Sequence, residues 1–390
     1  MAQLDMTDVM SADEAAAELG ISVRTLYSYV SRKQVRSATT AGDGKRRVYA
    51  GEDIRRLKSS ARLTGVAAPR STLVDQSAIT EVTPRGHLYR GRSAIELSET
   101  ETLESVGELL LEAPGVFDQP APILPEAARQ LIALTPGLST ADQAITLFPL
   151  LEGANPKSYD LSPIGFARTS VDLVRYFSTI STHGTAPSEE PTHRYIIRSL
   201  GADPAMEDIL RRTLVLMADH DLDPTTYAVR AIANTGATPY HAAMVGLAAF
   251  RGRRLQFGRT ELVNHLLEEI VGSPDPARPV VRAFRHDEPM LGFGSIVYGD
   301  YDPRADTLLH HVLDQLGDEV AVQRLAKAIE VGREILGKGP SVTLMISFIR
   351  NRLGMPASDS SFMANARIVG WCAHAMEQYH GRTLFRPRSL

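Results

Sequence analysis

The chain has 390 residues, 43% of them hydrophobic and 23% charged, with a formal net charge of -4. That length suits two or more compact units and that composition excludes a disordered chain, while no apolar run approaches the roughly 20 residues of a membrane-spanning helix. The single cysteine, Cys372, excludes an intrachain disulfide and a cysteine-built zinc site, and an acidic N-terminus without an apolar core speaks against a secretory signal, so cytoplasmic residence is expected.

The first predicted element is a short helix from Ala12 to Leu19. Ser11 caps it, Asp13 and Glu14 occupy the first turn where the helix dipole favours acids, and Gly20 ends it. Ser22 caps a second helix, Val23 to Ser31, whose Val23, Leu26 and Val30 face a core while Arg24, Ser28 and Arg32 face outward. This is helix-turn-helix spacing, with a second helix suited to a major groove. Ala41-Gly42-Asp43-Gly44 signals a turn. Lys45 to Tyr49 then reads as a short basic strand, or wing, and Glu52 to Lys58 as a third helix.

Between Val23 and Lys58, ten Lys/Arg stand against three acids, a balance of +7 that leaves -11 for the rest of the chain. A basic segment on an acidic body points to an anionic partner, DNA first, with a solvated basic surface as the bland alternative. The order of these elements resembles the MerR-like and excisionase-like winged helices. The resemblance implies DNA contacts from Arg24, Thr25, Tyr27, Ser28 and Arg32 on the second helix and from Lys45, Arg46 and Arg47 on the wing. A module kept for protein contacts is the other reading. Residues 1–58 are assigned to this domain and 59–71 to a linker.

Beyond the linker, Ala78–Val82 and His87–Arg90 flank Thr83-Pro84-Arg85-Gly86 and predict a small hairpin. The remainder is predicted to be mainly α. Glu207 to Ala218 places Ile209, Leu210, Leu214 and Met217 on one face, Val320 to Leu336 is similar, and Phe362 to Tyr379 is apolar enough to be largely buried. Four segments in order resemble the citrate synthase family. They are the hairpin "ITEVTPRGHLYRGRSAIEL", "ADHDLDPTTYAVRAIANT", "GFGSIVYGDYDPRA", and "ARIVGWCAHAMEQ" with the tail "FRPRS". The resemblance implies a two-domain helical fold, with residues 72–256 and 346–390 as a large domain and 257–345 as a small one. It also implies an obligate homodimer with a cleft in each subunit.

The chemistry implied by the resemblance is a condensation. A carboxylate takes a proton from the methyl of acetyl-CoA, one histidine stabilises the enol, and a second polarises oxaloacetate. At all three positions this sequence departs from the family pattern. Gln256 stands where "P-L-H-G-G-A-N-E" has its histidine, Ser295 where "G-F-G-H-R-V-Y" has its own, and Thr343 where "P-N-V-D-F" has the aspartate. A threonine hydroxyl, with its very high pKa, cannot serve unaided as that base. The basic residue after the histidine loop is Gly299.

The substrate-binding positions match the pattern: His220, Arg304, Arg367, and Arg386, the last implied to reach across the dimer. Guanidinium groups bind carboxylates bidentately, so the set implies a pocket for a di- or tricarboxylate such as oxaloacetate or citrate. Structural ion pairs that outlived the function are the alternative.

Asp219-His220-Asp221 with Asp223 does not make a metal site, because neighbours on a helix point apart, and Asp300 with Asp302 does not complete a calcium loop. His310, His311 and His374 are expected at the surface or in packing, and Cys372 in the core. No cofactor is expected, with CoA or acyl-CoA as a candidate ligand.

The leading expectation is a citrate synthase-like homodimer without condensation chemistry that senses a carboxylate or acyl-CoA and binds DNA. The alternatives are a working condensing acyltransferase with altered chemistry and a non-catalytic partner of an active paralogue.

Overall fold

The structure, a computed structural model, describes residues 8–19, 23, 26–27, 30, 35–39, 47–55, 77–135, 137–252, 257–285, 292–356 and 362–381, with 257–259 described by backbone alone. The chain divides into two compact units, the first ending at Asp75 and the second covering Gln76–Phe385. No helix among the described residues is long and apolar enough to cross a membrane.

In the first unit the helix Ala12–Leu19 starts at a capping box. The Glu14 amide donates to the Ser11 hydroxyl at 3.3 Å, and the Ser11 amide donates back to the Glu14 carboxylate at 2.9 Å. Val23, Leu26, Tyr27 and Val30 are helical, as their spacing predicts. Leu26 is fully buried with Ala15, Val35, Tyr49 and Ile54. The wing strand, Arg47–Ala50, lies at the centre of a three-stranded antiparallel sheet between Val9–Met10 and Ser37–Thr39. Those two outer strands were not anticipated, because two or three residues are too few to show alternation.

The charge of this unit is less free than its count suggests. Arg36 gives Asp53 three hydrogen bonds at 2.9–3.0 Å and pairs with Glu52, while Arg55 pairs with Asp8. Arg47 is exposed with its Nε on the Ser37 hydroxyl, and Tyr27 is half exposed. Arg24, Thr25, Ser28, Arg32, Lys45 and Arg46 lie outside the described residues, as does the linker.

In the second unit the hairpin forms from Thr80–Thr83 and Gly86–Tyr89, and Arg92–Ser93 adds a third strand. Helices follow. Pro163, Pro224, Pro239 and Pro303 each sit at the first helical position, where a missing N–H costs nothing. The helix Ala364–His380 runs through the core, apolar on nearly every side, against Leu103–Leu111, Pro163–Ser181, Pro224–Ala233 and Pro239–Phe250. Trp371 on it is fully buried and meets the Phe250 ring edge-on at 5.8 Å. Truncating such a side chain costs about 3–5 kcal/mol.

Two helix ends correct the sequence reading. The helix predicted to end at Ala218 stops at Leu216, so Asp219, His220 and Asp221 lie on a turn and not on a helix. Asp221 there takes a left-handed conformation, with φ of 58°. The helix predicted from Phe362 starts at Ala364.

Candidate functional site

The hairpin, the turn after Leu216, the Gly292–Arg304 segment and the helix Ala364–His380 converge on one group of polar side chains. Alternation along the hairpin puts His87 and Tyr89 on one face. Both are fully buried, and their rings lie 4.8 Å apart. The His220 ring stands edge-on to His87 at 5.9 Å and to Tyr298 at 6.1 Å. The Arg304 guanidinium lies over the Tyr298 ring at 5.2 Å.

Below His220 the turn is fixed by buried bonds. The Asp219 carboxylate accepts from the Thr80 hydroxyl at 2.5 Å and lies 3.0 Å from Nε2 of His374. Burial alone would raise the Asp219 carboxyl, but His374, Arg367 and Thr80 outweigh it and hold the group well below the usual carboxylate range. His374 is thus a buried partner and not a surface residue. Gly370 permits this approach, since a Cβ there would meet the Ala218 carbonyl oxygen at 2.4 Å. Asp223 caps the next helix by accepting from the Thr226 amide at 2.7 Å.

Arg304 and Arg367 differ in kind. Asp302, the N-cap of the helix Pro303–Leu316, takes Nε of Arg304 at 3.0 Å and Nη2 at 2.7 Å, and both residues are buried. Arg367 is equally buried, yet its Nε and Nη1 find no hydrogen-bond partner among the described residues. Nε2 of His220 likewise has none. Burial, followed by the guanidiniums of Arg304 and Arg367, pushes His220 well below the ordinary imidazole value and His87 down to about 3. The cluster therefore brings the Arg367 guanidinium, with two nitrogens unbonded among the described residues, beside two imidazoles whose charged forms are disfavoured.

Ser295 and Thr343 belong to two segments tied by backbone bonds. The Gly294 amide donates to Gly339 and the Ser341 amide to Gly292, both at 2.9 Å. Ser295 closes a turn with Gly299, and its hydroxyl accepts from the Val297 and Tyr298 amides at 3.2 Å. Gly294, at φ of 70°, is where that turn needs a residue without a side chain. Thr343 is half-buried in the first turn of the helix Val342–Arg352. Gln256 and Arg386 lie outside the described residues.

Of the substrate positions named from sequence, His220, Arg304 and Arg367 come together. Sequence reasoning missed His87, Tyr89, Tyr298 and the partner role of His374. Alternation in the hairpin was the signal available for His87.

A family model described as citrate synthase, C-terminal domain, matches residues 64–388, and one described as helix-turn-helix domain matches residues 9–62. A citrate/2-methylcitrate synthase of Bacillus subtilis is 28% identical over 331 residues, covering 77% of this chain and 88% of that protein. The crystal structure of citrate synthase from Thermotoga maritima aligns with a TM-score of 0.66 at 24% identity, over 82% of this chain and 93% of that one. A Thermoplasma acidophilum citrate synthase, solved as a ternary complex with carboxymethyl coenzyme A and oxaloacetate, aligns with the same TM-score at 17% identity over the same shares.

Proposed function

Because the chain belongs to the citrate synthase family and carries a helix-turn-helix domain ahead of that region, we propose that it is a carboxylate-sensing, DNA-binding regulator that has lost condensation chemistry. The observation that carries the ligand half is Arg367, a buried guanidinium with two unmatched N–H groups among the described residues. Asp219 supplies part of the counter-charge, and a ligand carboxylate beside His220 and Arg304 would supply the acceptors that Nε and Nη1 of Arg367 lack among the described residues. A relative in this family was solved with oxaloacetate bound, which makes a dicarboxylate the first ligand to try, with acyl-CoA as a second.

The loss of chemistry rests on Gln256, Ser295 and Thr343. Neither an amide nor a hydroxyl supplies the proton transfers of an imidazole or a carboxylate near neutral pH. The Ser295 hydroxyl is moreover committed to its own turn. The DNA half rests on the helix-turn-helix match and on the basic stretch within it. A homodimer would pair two such modules on a two-fold site.

The test is a thiol-release assay with oxaloacetate and acetyl-CoA, beside a gel-shift assay on the chain's own upstream DNA with and without the dicarboxylate. The regulator reading expects no thiol release above the uncatalysed rate and a shift that responds to ligand. Robust thiol release would favour the rival reading, a working condensing enzyme like its named relatives.

A further inference from the structure

His87 enters the site from the hairpin, and its neighbours favour one tautomer. The Tyr89 hydroxyl lies 3.0 Å from the Val215 carbonyl and 3.3 Å from the Asp219 carbonyl, so its proton points to them. One lone pair of the same oxygen accepts from the Asp219 amide at 3.2 Å. The remaining lone pair faces Nε2 of His87 at 2.9 Å, an arrangement that suits a ring hydrogen on Nε2, and the Leu216 backbone carbonyl is a further acceptor beside the ring. A neutral ring then has Nδ1 bare, and burial with the two nearby guanidiniums keeps the ring neutral. Nδ1 is thus a buried acceptor aimed at the Tyr298 hydroxyl, 3.4 Å away. That contact is long for an O–H···N bond, and among the described residues the hydroxyl has no shorter acceptor. Tyr298 sits on the exposed Ser295–Gly299 turn and is itself only half-buried, so it has room to yield.

We propose that His87 and Tyr298 form a hydroxyl-reading subsite beside the anion-binding group, which makes the pocket select a hydroxy-carboxylate over the same carboxylate without its hydroxyl. The inference rests on the carboxylate-binding reading above and names the class of ligand within it. A hydroxyl both donates and accepts. Inserted between the two side chains, it donates to Nδ1 of His87 and accepts from Tyr298, turning one long bond into two good ones. A carbonyl oxygen meets only the tyrosine, and a methylene meets neither. A site built to bond a hydroxyl rejects the analogue lacking it, here by at least about tenfold. His220, edge-on to both rings, places the subsite next to the unmatched donors of Arg367.

The test is calorimetric titration of the full chain with two matched pairs: malate against succinate, and citrate against tricarballylate. Wild type is expected to bind the hydroxylated member of each pair about tenfold more tightly or better. His87→Leu should erase that preference, bringing the affinities of the two members of each pair to within about twofold of one another. Tyr298→Phe, which removes one exposed-side hydroxyl and leaves the buried hairpin intact, should do the same and guards against a folding defect in the first variant. Survival of the preference in either variant would overturn the proposal, as would a parallel loss of affinity for both members of a pair. Equal wild-type affinity for the two members would overturn it while the carboxylate reading stands. No binding of any of the four acids to wild type would overturn both.

Discussion

The Asp219 carboxylate and Nε2 of His374 lie 3.0 Å apart across 155 residues of sequence, both with no solvent exposure. The pair ties the turn that carries His220 to the central helix that carries Arg367. Thr80 on the hairpin and the Arg230–Glu377 pair at 2.5 Å extend the link, and the Ala78 amide donates to Glu377 at 2.7 Å. Three separate chain segments are thereby fixed around the pocket floor.

Removing His374 strands a buried carboxylate. His374→Ala is expected to destabilise the protein by about 3–5 kcal/mol, read from urea unfolding. His374→Gln, which can still donate to Asp219, should recover part of the loss. A change below about 1 kcal/mol for the alanine variant would mean that the turn is held by packing alone.

Stability should fall in mild acid. His87 has an ordinary value of 6.5 and is lowered to about 3 in the folded protein, chiefly by burial and then by Arg304 and Arg367. His220 moves the same way for the same reasons. Between those values the unfolded chain binds more protons than the folded one. The stabilisation from His87 is therefore complete above about pH 6.5 and is lost as pH falls, by about 1.36 kcal/mol per unit, and His220 acts in the same direction. Melting curves from pH 7 to pH 5 should show this slope, reduced by about one proton's worth in His87→Leu. Equal slopes in the two proteins would show that His87 already binds its proton in the fold.

The two buried arginines should respond differently to mutation. Arg304→Ala leaves Asp302 buried and unpaired, so it should cost about 3–5 kcal/mol without any ligand. Arg367→Met removes a guanidinium that lacks acceptors among the described residues but helps keep Asp219 ionised, so the ligand-free protein should lose less stability than with Arg304→Ala. The same variant should abolish the rise in melting temperature given by malate or citrate, which for wild type corresponds to about 2.7 kcal/mol at a hundredfold excess over Kd. Matched ionic strength controls for screening. An Arg367→Met protein that is destabilised as much as Arg304→Ala and still responds to citrate would contradict both expectations.

Deleting residues 1–60 should abolish DNA retardation and leave the larger unit folded. Arg47→Ala should weaken binding to specific and unrelated DNA alike and reduce the slope of log K against log salt by about 0.9. Asp53→Ala should also abolish binding, but by unfolding the module, since Asp53 is the buried acceptor for Arg36. Circular dichroism of the isolated N-terminal module would separate the two causes. Unchanged retardation after the deletion would move DNA binding elsewhere in the chain.

The sequence by itself determined what local pattern controls. Leu26 and Val30 at helical spacing, Ser11 as a cap, and the turn at Pro84-Arg85 each concern neighbours a few residues apart, where backbone geometry dictates which side chains share a face. The motifs around His220, Ser295 and Arg367 were legible too, as short strings with fixed residue types. Only the tertiary structure decided that Asp302 pairs with Arg304 while Arg367 keeps unmatched donors among the described residues, that His374 holds Asp219, and that Nδ1 of His87 comes within 3.4 Å of the Tyr298 hydroxyl. Each of these depends on groups brought together from distant segments, and on whether burial leaves a polar atom with a partner. Residue type and spacing carry neither quantity, because desolvation and hydrogen-bond satisfaction arise only when the chain closes on itself.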